Sequence, residues 1–372
     1  MLFEITSPSV IHCGAGTLKR VAEETERLGD RAAVVTGRHF QESAATRSLL
    51  DDLACRGVQA YTADPITGEP DVTAVDELAA FARGCSARVV VAVGGGSVID
   101  AAKAACVLAV NEGATEDYQL RRREIVNPPL PLVAAPTTAG TGSEATRVSV
   151  LNNARAGVKR SISHPLMTPA AVVLDPKLTV SLDKRMTTLT AMDAFSHAIE
   201  SAVSRGSNPY TRSIALAAIE QLAAYLPVCL REPDNLDARL GCLIGSCFAG
   251  LSMQAGLGAS HSLAPAVCVV AGIRHSEAIA ALLPHAISLN AARCPGLYAG
   301  VEKALSAPDA AARISELCSE AGVEPGLAAY GLDASAWPRV LEAMNRYASH
   351  RQTNPVEVTD DFAKELFALA VR

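Results

Sequence analysis

Asp193 and His197 stand four residues apart in "MDAFSHAIES" (192–201), a stretch otherwise poor in charge. On a helix that spacing puts both side chains on one face, within reach of one ion. Two further histidines, His261 and His275, lie fourteen apart in "GLGASHSLAPAVCVVAGIRHSEAIAALLPH" (256–285). The local pattern there predicts a helix, a turn near Gly272 and a second helix. One carboxylate and three neutral imidazoles suit Fe²⁺ or Zn²⁺, with positions left over for a substrate oxygen. A lone histidine in an apolar helix is ordinarily a satisfied core residue. Two such pairs in a chain that also carries a nucleotide loop are harder to dismiss.

That loop is "VVVAVGGGSVIDAAKAA" (89–105): a β-branched run, three glycines, a serine, then a helical pattern. Glycine lets backbone approach a ligand closely, and a helix N-terminus offers free N–H groups and a positive dipole end. Gly94, Gly95, Gly96 and Ser97 are therefore the expected pyrophosphate contacts. A second loop, "APTTAGTGSEATR" (135–147), repeats the logic with hydroxyl side chains, and Thr137, Thr138 and Ser143 are the expected contacts. The earlier "CGAG" (13–16) lacks the third glycine of a dinucleotide fingerprint. Asp100 follows Ser97 by three residues. It suits a helix first turn on electrostatic grounds alone, or else a place beside cofactor and substrate.

Elements must position these residues. "RAAVVTG" (31–37), "SARVVVAVGGG" (86–96), "LPLVAAPTT" (130–138) and "AAVVLDP" (170–176) read as strands, with helical stretches "VTAVDELAAFARG" and "SVIDAAKAACVLA" around the second. That alternation predicts a doubly wound α/β domain with a parallel sheet over 1–182. From residue 183 strand signals nearly vanish. "SIALAAIEQLAAYL", "AARISELCSEAG" and "TDDFAKELFALAV" carry apolar residues at three-to-four spacing, which predicts an all-helical domain over 183–372. Thr359 before two aspartates suits a helix start.

Bulk properties narrow the function. The 372 residues are 49% hydrophobic and 19% charged, with a net charge of −6, so nothing favours nucleic acid or an anionic membrane as partner. No uninterrupted apolar run of membrane-span length is read, nor a signal peptide, so a cytoplasmic enzyme is expected. Ten scattered cysteines without a CxxC pair read as reduced thiols.

"GGGSVIDAAK" (94–103), "PTTAGTGSEATR" (136–147), "DPKLTVSL" (175–182), "MDAFSHAIES" and "GLGASH…RHSEAIAALLPH" occur in order. With them the chain resembles the group III, iron-dependent alcohol dehydrogenases, which are related to glycerol dehydrogenase and dehydroquinate synthase. The resemblance implies a Rossmann-like N-terminal domain, an all-helical C-terminal domain and an active site in the cleft between them. It implies that Asp193, His197, His261 and His275 are the metal ligands. It also implies cofactor contacts from Gly95, Gly96, Ser97, Thr137, Thr138 and Lys159, the last in "VKRSISHP". Asp100, His261 and His275 are the expected catalytic residues. A bound metal would polarise the alcohol or aldehyde oxygen while hydride passes to or from nicotinamide. Dimers or larger homo-oligomers are expected, as in the family.

Two departures stand out. Many members carry a second histidine four residues after the one matched by His261; here that place is Pro265. Metal binding is untouched, but the proton relay loses a member, and His285 is not shown by sequence to replace it. Members preferring NAD(H) tend to have aspartate after the first long strand, where this chain has Gly37 followed by Arg38 and His39. Glycine removes the repulsion of a 2′-phosphate, and Arg38 can pair with it, so NADP(H) is expected over NAD(H). The expected activity is interconversion of a small aldehyde and its primary alcohol, chiefly as an aldehyde reductase. Three alternatives remain. One is reduction of an anionic substrate served by Arg147 or Arg274, as in phosphonoacetaldehyde or maleylacetate reductases. The second is a lyase or cyclase of the dehydroquinate synthase type. The third is a nucleotide-binding descendant without turnover.

Overall fold

A computed structural model describes residues 3–324, 326–346 and 350–372. The chain forms two compact units. One comprises Glu4–Thr138 with Gly142–Thr179; the other comprises Val180–Arg372, joined by Phe3 and Ala139–Thr141.

The first unit is built on a six-stranded parallel sheet in the order β1-β8-β5-β4-β2-β3. Its strands are β1 (Val10–Cys13), β2 (Arg31–Thr36), β3 (Gln59–Thr62), β4 (Val89–Gly94), β5 (Leu132–Pro136) and β8 (Ala171–Leu174). Strands β4, β5 and β8 are buried along their whole length, which is why they read as unbroken valine–alanine runs. Alternate residues feed two cores. Val89, Val91 and Val93 pack with Val21, Leu49 and Leu53 on one face. Val90 and Ala92 pack with Leu78, Ile99 and Ala102 on the other. The sequence reading lacked β1 and β3, both edge strands, and the antiparallel hairpin of β6 (Val148–Asn153) and β7 (Val158–Ser163). Edge strands face water on one side and so lack a sustained apolar run.

The second unit is helical, with no strand among its described residues. Lys184–Val203 starts on Asp183, whose carboxylate accepts from Met186 N at 2.7 Å, and Asp360–Ala370 starts on Thr359. Gly272, in the left-handed region at φ 67°, ends Ala259–Ala271 and frees the chain to begin His275–Arg293 three residues later. Pro209–Arg231 and Leu236–Ala255 are long and apolar enough to cross a membrane by length and composition alone, a property that core helices share. Helices Pro209–Arg231 and Leu236–Ser252 pack on each other, and Arg239 of the latter is buried, bonding Thr187 and Leu182 of the same unit.

Candidate metal and nucleotide sites

Lys184–Val203 is buried nearly all round, so its low charge is a consequence of its place in the core. Asp193 and His197 project from one face of it. His261 enters from the first turn of Ala259–Ala271, and His275 is the first residue of His275–Arg293. Their ring nitrogens converge on one oxygen. Asp193 Oδ1 lies 3.8 Å from His197 Nε2, 3.9 Å from His261 Nε2 and 3.7 Å from His275 Nε2. These distances exceed hydrogen-bond length and suit atoms ringing a common centre. Asp193 Oδ1 and His261 Nε2 are buried without a hydrogen-bond partner. Asp193, His261 and His275 can offer ligand atoms all within 4.8 Å of one another. The His197 and His261 rings stack with centroids 4.7 Å apart. Burial pushes the pKa of His261 well below the usual imidazole range, with His197 and His350 adding to the effect, so the ring is neutral and fit to be a ligand.

Two residues here escaped the sequence reading. Glu200 faces His261 Nδ1 at 2.7 Å and accepts from Gly258 N and Ser260 N, each at 2.7 Å. Its signal was present: Asp193, His197 and Glu200 follow the i, i+4, i+7 spacing of one helix face. His350 packs edge-on to His261 at 6.3 Å and sits at a strained φ of 63°. It comes from a distant segment, and no local pattern announces it. Among the described residues, the ring contacts of His261 go to His197, His275 and His350. Position 265 holds proline inside an intact helix.

In the sheet unit, register aligns the carboxyl ends of three neighbouring strands, pairing Thr36 with Val93 and Gly94 with Pro136. Strand order reverses between β2 and β4, the place where open α/β sheets bind ligands. Gly37, Gly95–Ser97 and Thr137–Thr138 emerge there. A Cβ on Gly94 would meet Val98 Cγ2 at 2.5 Å, so this glycine is required by helix–strand contact. A Cβ on Gly95 would lie 3.5 Å from the Thr138 hydroxyl, which puts the two loops side by side. No side chain caps the helix Gly96–Leu108, leaving its first N–H groups available to an anion. Gly37 is extended at φ −79°, and Arg38 and His39 after it are exposed.

Other expected residues are engaged elsewhere. Asp100 accepts from Ser143 Oγ and, at 2.9 Å, from Val150 N, and pairs with buried Lys103 at 3.2 Å. Asp100 and Ser143 thereby tie the hairpin to the helix. Lys159 pairs with Glu69 at 2.8 Å. Arg147 pairs with Glu4 at 3.2 Å. Arg274 and Arg185 share Glu277, at 3.1 and 2.9 Å.

Residues 8–176 match the model of the family described as iron-containing alcohol dehydrogenase. Residues 187–371 match that of the Fe-containing alcohol dehydrogenase family, C-terminal. The chain belongs to the iron-containing alcohol dehydrogenase family. It is an oxidoreductase of that family, and its parallel-sheet and helical parts are the family's architecture. The probable alcohol dehydrogenase EutG of Salmonella typhimurium is 34% identical over 368 residues, covering 96% of this chain and 93% of that protein. A crystal structure of 1,3-propanediol oxidoreductase superposes with a TM-score of 0.93 at 29% identity, covering all of both chains. Sulfoacetaldehyde reductase from Bifidobacterium kashiwanohense, solved in complex with NAD+, gives 0.89 at 30% identity, covering 100% of this chain and 99% of that one.

Proposed function

We propose that the protein is a metal-dependent, NAD(P)-linked reductase of small aldehydes, with Asp193, His197, His261 and His275 as ligands of Fe²⁺ and NADP(H) preferred. The observation that carries this reading is the crowding of three imidazole nitrogens around one buried, unpartnered carboxylate oxygen. A carboxylate oxygen and an imidazole lone pair repel when brought face to face in the interior; a shared cation turns that repulsion into coordination. Mixed N and O donors suit Fe²⁺, with Zn²⁺ second. Bound there, the ion would serve as Lewis acid toward the substrate oxygen. The chain's own part is to keep the His261 imidazole neutral by burial and to hold the three rings on three helices. Gly95, Gly96, Ser97, Thr137 and Thr138 would hold the dinucleotide, with Arg38 beside its 2′-phosphate. Lys159 would approach it from β7. We assign no proton-transfer step to Asp100, whose carboxylate oxygens are both taken.

An anionic aldehyde is the second reading. Arg185 and Arg274 share the single carboxylate of Glu277. One positive charge is thus left over beside His275, and one solved neighbour is a sulfoacetaldehyde reductase. Anaerobic Fe²⁺ loading followed by a screen of neutral, carboxylated and sulfonated aldehydes with NADPH and NADH tests both readings. The proposal expects iron-dependent oxidation of NADPH with at least one neutral aldehyde. A response confined to anionic aldehydes would favour the second reading, and no iron-dependent turnover would refute both.

A further inference from the structure

His261 has two nitrogens with opposite surroundings. Nε2 is buried without a partner and faces Asp193; Nδ1 faces Glu200 Oε2 at 2.7 Å. Both oxygens of Glu200 are already acceptors, Oε2 from Gly258 N and Oε1 from Ser260 N. An N–H group aimed at each oxygen is the geometry of an acceptor. A carboxylate accepting on both oxygens leaves the ring nitrogen one role, that of donor. The proton of neutral His261 therefore sits on Nδ1, and the lone pair on Nε2 points at the shared centre.

We propose that Glu200 is the positioning residue of the metal site. It selects the tautomer and ring plane in which His261 can be a ligand, and it anchors the loop that carries this histidine. The inference rests on the metal-site reading above. Asn354 completes the anchor by accepting from Ala259 N at 3.1 Å, so the amides of residues 258, 259 and 260 are held in turn by Glu200, Asn354 and Glu200. Gly258 is glycine because a Cβ there would stand 2.7 Å from Asn354 Oδ1 and 3.1 Å from Glu200 Cδ. The two residues differ in one respect: among the described contacts Glu200 bonds the imidazole, while Asn354 bonds backbone and Asn290. That difference separates positioning from mere capping.

The test titrates metal-free protein with Co²⁺ under anaerobic conditions, following visible absorption, and records thermal midpoints without metal. Glu200→Gln should weaken Co²⁺ binding by roughly 10- to 100-fold, as loss of an outer-shell partner of a metal-bound histidine does. It should also alter the ¹⁵N chemical shifts that report the His261 tautomer. Asn354→Ala should lower the thermal midpoint while keeping Co²⁺ affinity within about threefold of the parent. If Glu200→Gln does not yield folded protein, Glu200→Asp, which draws the charge back by one methylene, is measured instead with the same expectation. Unchanged Co²⁺ affinity and tautomer in the Glu200 variant, or equal loss of affinity in the Asn354 variant, would overturn the inference. Asp193→Ala separates this outcome from failure of the parent reading: if that variant binds Co²⁺ as tightly as the parent protein, the metal site itself is misplaced.

Discussion

At the scale of single residues, the proposed preference for NADP(H) turns on Gly37. Its backbone is extended, in a region open to any residue, and it caps the short helix Arg38–Gln41. A Cβ there would meet Val98 Cγ2 at an ordinary 3.6 Å. Aspartate therefore fits, is a good N-cap, and would set a carboxylate where the proposed 2′-phosphate lies. Gly37→Asp should shift the ratio of kcat/KM for NADH over NADPH upward by about tenfold or more, equivalent to about 1.4 kcal/mol of differential transition-state binding. An unchanged ratio would remove Gly37 and Arg38 from the cofactor assignment. The four proposed ligands stood out in the sequence because histidine and aspartate are rare in apolar helices, because Asp193 and His197 are at helical spacing, and because the family resemblance pointed to His261 and His275. Glu200 was legible in principle, one turn beyond His197. His350 was not, because its approach to His261 depends on a left-handed backbone and on tertiary packing that no local pattern encodes.

At the scale of elements, buried charge knits the hairpin to the sheet unit. Lys103, on the helix Gly96–Leu108, is fully buried and donates to Ser143 O at 2.9 Å, to Thr146 Oγ1 at 3.1 Å and to Val148 O. Glu144 beside it is buried too, with Oε1 lacking a partner, and burial lifts its pKa from 4.5 to about 7. Because the folded-state pKa is the higher, its contribution to stability is complete below about 4.5 and is lost as pH rises through about 7. Glu144→Gln removes this titration. The variant should therefore gain thermal midpoint relative to the parent as pH is raised from about 4.5 to about 7. The gain corresponds to about 3 kcal/mol. Parallel midpoints across that window would show that Glu144 does not titrate as described. The same elements mark where sequence reading stops. Strands β2, β4, β5 and β8 and the helix Val72–Gly84 were all anticipated, since their apolar periodicity follows from burial. The hairpin was missed because its stability comes from Asp100, Lys103 and Gln119 reaching across from other elements. Gln119, for instance, donates to Leu151 O and Arg160 O.

At the scale of the whole molecule, an α/β unit carries the glycine loop and a helical unit carries the histidines. Each unit is recognised by its own family model. The change from α/β to helix was visible as the loss of β-branched runs near residue 182, and in the structure the units change at Thr179 and Val180. The membrane-span composition of Leu236–Ala255 is explained by its place in the bundle, since 67% of its apolar window is buried; for Pro209–Arg231 the buried share is 39%. The account stands or falls on the ion. The most direct measurement is anomalous diffraction at the iron edge from crystals grown anaerobically with Fe²⁺. The account predicts one strong peak per chain, ringed by Asp193 Oδ1 and the Nε2 atoms of His197, His261 and His275. No peak at that position, or a peak bound by other side chains, would contradict it.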